Sequence, residues 1–210
     1  MSDTVLVPGA RDVRATLDSA ATDDSRGSAA ADACVVACPP HPRHRGHRGD
    51  ERLRAVSDAL TAAGVDCLRF DYGAWDEGYG ESTDADNAVG WALDRYDHVA
   101  LFGFSFGGTI ALVAAAARPE TAAVSALAPT ARITSEVDAV AALDDIACPI
   151  QVVYGTRDTV ADWEPVVERA TERRDGGRDV NLVEIAADHL FVGRTNRVAE
   201  AVGPWLRARL

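Results

Sequence analysis

The chain has 210 residues, 47% apolar and 26% charged, with a formal net charge of −12. That is long enough to bury a core and of the wrong sign for a nucleic-acid partner. No apolar run approaches the roughly 18 residues that span a bilayer, and the opening MSDTVLVPGARD lacks the basic and apolar regions of a signal peptide, so a cytoplasmic protein with no membrane partner is expected.

Taken in chain order, TVLVPG and DVRATLDS read as two short strands, the second with Val13, Ala15 and Leu17 alternating. Residues 20–32 are small and polar and read as a loop. ACVVACPP is a continuous apolar run stopped by two prolines, which suits a strand buried on both faces. Leu53, Val56, Leu60 and Ala63 recur at helical spacing over residues 50–63, and Gly64 ends that helix. VDCLRF is the next strand, DYGAWDEGYGES a glycine-rich loop, and a helix is predicted from Thr83 to Arg95. HVALFGF is a strand, and the segment after Ser105 is a helix ending before Pro119. AAVSALAP, PIQVVYG and DVNLVEIA are strands. They alternate with helices over residues 135–145, over DWEPVVERATER with Pro165 in its first turn, and from Thr195 to Arg209. Strands alternating with helices predict one α/β domain over residues 1–210, with a mostly parallel central sheet and helices on both faces.

All 21 basic residues are arginine, and the 33 acidic ones are spread along the chain. This fits a halophilic protein with a hydrated acidic surface, or simply a GC-rich genome that favours arginine codons. Cys34, Cys38, Cys67 and Cys148 are expected to be free thiols, since nothing in the sequence points to an oxidising compartment.

Gly103-Phe104-Ser105-Phe106-Gly107 matches G-x-S-x-G at a predicted strand-to-helix turn, where a strained serine can project its hydroxyl above the sheet edge. The alternative reading of the stretch is a glycine-rich corner with a passive serine. Asp158, in GTRDTV, and His189, in AADHLFVG, each follow a predicted strand, so a parallel sheet brings both to the edge that holds Ser105. Singly, Asp158 could be a helix cap and His189 a loop residue. Jointly, a nucleophile, an orienting acid and a base converge in the order Ser, Asp, His.

On GFSFGG, GTRDTV and ADHLF the chain resembles the α/β-hydrolase family over nearly its whole length, and is most similar to small lidless hydrolases of the dienelactone-hydrolase-like type. In such families the loop after the third strand often reads His-Pro-His-Pro and ends in Gly-Gly. PPHPRHRGHRG keeps His41-Pro42 and Gly46 but has Pro39 for the first His and Arg45 for the first Gly. RFDYGAWDEGYGES likewise resembles Arg-Phe-Asp-Tyr-Arg-Gly followed by Gly-x-Ser, with Gly73 for the second Arg.

One oxyanion donor should be the backbone N–H of Phe106. The second should come from the loop after the third strand, where the prolines have no N–H; His41 or Arg43 is left, and the position of the family loop favours His41. His41, His44 and His47 also resemble a metal cluster, but histidines packed among arginines on a Pro/Gly loop make a poor cation site, and no metal is expected. That cationic loop could favour an anionic substrate group or be plain solvated surface. Between Ser105 and Asp158 there is room only for a strand, a helix and a strand, so no cap domain is expected and the site should be open. Trp75, Tyr79, Trp163 and Phe191 are candidates for its apolar walls, or else core residues.

The expectation is a serine hydrolase of carboxylic esters or related acyl bonds, acting on a small-molecule acyl substrate without a cofactor; thioesterase, lactonase and peptidase use the same chemistry. The alternative is a non-catalytic binding or scaffold protein of the same fold.

Overall fold

A run such as ACVVAC can satisfy burial only inside a sheet covered on both faces. In the computed structural model, which describes residues 1–9, 11–20 and 31–210, it does so. The strands β3 (Ala33–Cys38), β4 (Asp66–Phe70) and β6 (Ala123–Leu127) are buried at every position. They belong to an eight-stranded sheet completed by β1 (Ser2–Leu6), β2 (Arg14–Asp18), β5 (His98–Phe104), β7 (Ile150–Gly155) and β8 (Val180–Ile185). The spatial order is β1-β2-β4-β3-β5-β6-β7-β8. The β1–β2 and β2–β4 pairings are antiparallel and all others are parallel, so the sheet is mostly parallel. Of the loop expected over residues 20–32, residues 21–30 lie outside the described residues.

Alternation along the strands sorts the core into two layers. Cys34, Val36 and Cys38 point toward α2 (Tyr79–Leu93), α3 (Phe106–Ala117), α4 (Ala139–Asp145) and α5 (Glu164–Asp175). Ala33, Val35 and Ala37 point toward α1 (Glu51–Ala62) and α6 (Thr195–Arg207). Leu53, Val56 and Leu60 of α1 meet Val198, Val202 and Leu206 of α6 in that second layer, each at helical spacing. Polar groups inside the sheet are paired: Ser125 donates to Gln151 Oε1 at 2.8 Å, and Gln151 Nε2 donates to Asn181 Oδ1 at 2.9 Å. Cys34, Cys38 and Cys67 are buried, Cys148 is half-buried, and all are free thiols. Burial pushes the Cys67 thiol up to about 12, so it stays protonated and inert.

Two helices begin four residues away from where the sequence predicts. α2 begins at Tyr79 rather than Thr83, because Glu81 turns back to accept the N–H groups of Gly78 at 2.8 Å and Asp76 at 3.0 Å. α4 begins at Ala139 rather than 135, because Arg132 bridges to Asp138 and Ile133 N–H donates to the Val137 carbonyl at 2.9 Å. Asp138 then caps the helix by accepting the Ala141 N–H at 3.0 Å. Between β6 and β7 the chain inserts α4 and short loops alone. No helix among the described residues is long and apolar enough to cross a membrane.

Candidate active site

The turn from β5 into α3 puts Ser105 at φ 57, ψ −123, a conformation that a residue with a side chain holds only under restraint. The restraint comes from both sides. Ser105 N–H donates to the Leu127 carbonyl at 2.8 Å, and the Ser105 carbonyl accepts from Gly108 N–H at 2.8 Å. A Cβ at Gly103 would overlap the Gly107 carbonyl, and one at Gly107 would overlap the carbonyls of Cys38 and Pro39. Glycine at both positions lets strand, helix and the loop after β3 meet around the serine.

The ends of β7 and β8 deliver the other two residues. Ser105 Oγ lies 2.9 Å from His189 Nε2, and His189 Nδ1 lies 2.7 Å from Asp158 Oδ2. The Asp158 side chain is wholly buried, and its Oδ1 accepts the N–H groups of Val160 at 2.9 Å and Ala161 at 3.1 Å. An ionised carboxylate only accepts, so His189 Nδ1 carries the hydrogen in this pair. Nε2 of the neutral ring is then the acceptor for the Ser105 hydroxyl. The arrangement can move a proton off Ser105 and hold the resulting imidazolium against a buried negative charge.

The strand register places the loop after β3 beside Ser105, since Cys38 lies opposite Gly103. Phe106 is the first residue of α3, so its N–H has no acceptor within the helix. His41 packs across from it, with ring centroids 4.9 Å apart. The His41 carbonyl accepts from His44 at 2.9 Å and Gly46 at 3.0 Å, which closes a 3-10 turn over Pro42–His44. The His41 and His44 rings stack at 4.6 Å, while Nδ1 of His41 accepts from Arg43 N–H and Nδ1 of His47 from Gly49 N–H. Burial, and then the neighbouring His44 charge, pull the His41 imidazole below its usual range against the opposing pull of Glu81. Arg45 takes the left-handed backbone at φ 63 that a glycine would adopt freely, so the turn survives that departure.

A cavity of about 600 Å³ opens over Ser105 and His189. Its apolar walls are Phe104, Phe106, Ile133, Val160 and Leu190; Arg45 and Arg132 also line it, as does the buried Arg52, whose guanidinium lies over the Phe104 ring. The aromatic residues proposed for those walls sit elsewhere. Phe191 is fully buried and packs edge-on against Phe104, because its left-handed backbone at φ 53 turns it into the core beneath the loop that carries His189. Trp75 stacks on His41 at 4.5 Å, behind the cavity wall. Tyr79 opens α2 on the exposed surface. Trp163 stacks on Tyr154 at 4.7 Å and donates its Nε1–H to the Asp158 carbonyl at 3.3 Å. Val160 and Leu190 escaped the sequence reading, although an apolar residue two places after Asp158 and one directly after His189 were signals for it.

Sheet order, strained turn and hydrogen-bonded relay together define an α/β-hydrolase. The profile of the dienelactone hydrolase family matches residues 81–203, more than half of the chain, and the chain belongs to that family; it is a hydrolase. Among solved structures it is similar to an α/β serine hydrolase homologue from Coxiella burnetii, with a TM-score of 0.81 and 24% identity over 97% of each chain. A lidless α/β serine hydrolase from Xanthomonas campestris superposes with a TM-score of 0.81 at 22% identity, over 100% of this chain and 95% of that one. A dienelactone hydrolase from Anabaena variabilis gives 0.78 at 24% identity, over 100% and 98%. An uncharacterized protein of Rickettsia prowazekii is 25% identical over 183 residues, 80% of this chain and 75% of that one.

Proposed function

We propose that the protein is a serine hydrolase that cleaves carboxylic esters or related acyl bonds through an acyl-enzyme. Ser105 Oγ attacks the acyl carbon as His189 Nε2 takes its proton. The developing oxyanion is held by the backbone N–H groups of Phe106 and His41. His189 then gives its proton to the leaving group, and Asp158 orients the ring and stabilises its charged form throughout. Water, deprotonated by His189, attacks the acyl-enzyme, releases the acid and restores Ser105.

The observation that carries this reading is the continuous relay, 2.9 Å from Ser105 to His189 and 2.7 Å from His189 to Asp158, at the base of an open cavity. Membership in a hydrolase family supports the reaction class, and the apolar walls support a small-molecule substrate with an apolar acyl group. A fluorophosphonate probe is expected to label the protein at one site. Ser105→Ala is expected to abolish labelling and to lower kcat on short-chain esters by about 10³-fold or more. Equal labelling of Ser105→Ala would remove the serine from this role.

A further inference from the structure

Arg11 lies in the connection between β1 and β2, far from Ser105 in sequence, and its guanidinium crosses the first turn of α2. Its Nε donates to Asp84 Oδ1 at 2.8 Å and its Nη2 to the Ala74 carbonyl, while Asp76 and Glu81 lie within 3.8 and 3.9 Å. The other Asp84 oxygen accepts the Gly73 N–H at 2.9 Å, and Glu81 accepts the N–H groups of Asp76 and Gly78. The Asp84 and Glu81 side chains are wholly buried, so Arg11 is the cation that compensates both. Between them these three side chains bind the backbone of residues 73, 74, 76 and 78. The fit is steric as well as ionic: a Cβ at Gly73 would overlap the Arg11 carbonyl, and one at Gly80 would overlap the guanidinium.

What this cluster holds is a clamp on the loop after β3. Trp75 projects from the middle of the bound segment and stacks on His41 at 4.5 Å. Tyr72, just before the segment, donates its hydroxyl to the Pro39 carbonyl at 3.2 Å. We propose that Arg11 is a positioning residue for acyl transfer: it fixes the 73–78 segment so that Trp75 and Tyr72 hold the Pro39–His41 backbone, and with it the His41 N–H, in register with the reacting carbonyl. This rests on the serine-hydrolase reading above. Displacing such a donor by even 1 Å costs up to about a hundredfold in rate, and a loosened donor costs less.

Two variants test it by opposite routes. Arg11→Met removes the guanidinium. Gly80→Ala expels it from its seat, yet alanine favours the helical state over glycine by about 1 kcal/mol, so α2 itself is not weakened. Fluorophosphonate labelling rates and kcat and KM on a short ester are measured on protein verified as folded by circular dichroism. Both variants are expected to lose about tenfold or more in labelling rate and kcat, with KM within about twofold of wild type. Arg11→Lys is expected to recover part of the loss, since an ammonium reaches Asp84 without bridging to the Ala74 carbonyl. Wild-type labelling and turnover in either Arg11→Met or Gly80→Ala overturn the proposal while leaving Ser105 its role. Failure of the wild-type protein to label overturns the hydrolase mechanism itself, and this inference with it.

Discussion

Asp18 is a carboxylate that the fold has taken largely out of water. Its Oδ2 accepts from Ser57 Oγ at 2.7 Å and from Arg69 Nε at 2.6 Å, and its Oδ1 accepts from Ser2 Oγ at 2.7 Å. Burial acts to raise its pKa, but the hydrogen bonds from Arg69, Ser57 and Ser2 and the Arg69 charge together outweigh burial and leave it lowered from 3.8. A folded-state pKa below the unfolded one contributes stability above the unfolded value, and that contribution is lost as the pH falls through the folded one. The resistance of the wild-type protein to urea should therefore weaken on acidification below 3.8, and Asp18→Asn should flatten that part of the profile while costing about 2 kcal/mol at neutral pH. An unchanged profile in the variant would remove Asp18 from the acid response. Ser105, Asp158 and His189 belong to the same scale, and their convergence was legible because each follows, within four residues, a strand that an apolar run announces. Arg11 was not, because nothing near it in sequence reveals the carboxylates that it meets across the fold.

Among the elements, the β5–α3 turn leaves no room for a side chain at Gly103 or Gly107. β5 packs against β3 on one side and β6 on the other, and α3 starts directly over the loop that leaves β3. Gly107 stands where these backbones meet, so Gly107→Ala forces α3 away from Cys38 and Pro39. Chemical denaturation should register a loss of about 2 kcal/mol or more, with labelling of Ser105 lost in the protein that remains folded. A variant of normal stability and normal labelling would show that the helix can retreat without disturbing the serine. The need for small residues at Gly103 and Gly107 was visible in the sequence. The early start of α2 was not, since it depends on Glu81 reaching back to Gly78 across a glycine-rich stretch with weak helical periodicity.

At the scale of the whole molecule the net charge of −12 is the dominant electrostatic fact. Many arginines are engaged by acids, as in Arg169 with Asp144 and Glu172 or Arg118 with Asp86, but exposed pairs of this kind contribute little each. The uncompensated acidic surface repels itself, and salt relieves that repulsion, with a screening length of about 3 Å near 1 M. The thermal midpoint should therefore rise as NaCl increases from low concentration toward about 1 M. A fall would mean that the arginine pairs, rather than the excess carboxylates, govern stability.

Strand runs, helical spacing and the three residues placed after strands were determined by the sequence alone, because each depends on neighbours within a few positions along the chain. From them follow the α/β class, the mostly parallel sheet, and the meeting of Ser105, Asp158 and His189 at one sheet edge. Tertiary structure alone decided which apolar side chains face the cavity. Phe191 went into the core because its turn rotates it inward, while Val160 and Leu190, in loops with no periodicity, were left on the wall. It also decided the Arg11 cluster, because two buried carboxylates and one guanidinium can be matched only once β1, β2 and α2 have packed together.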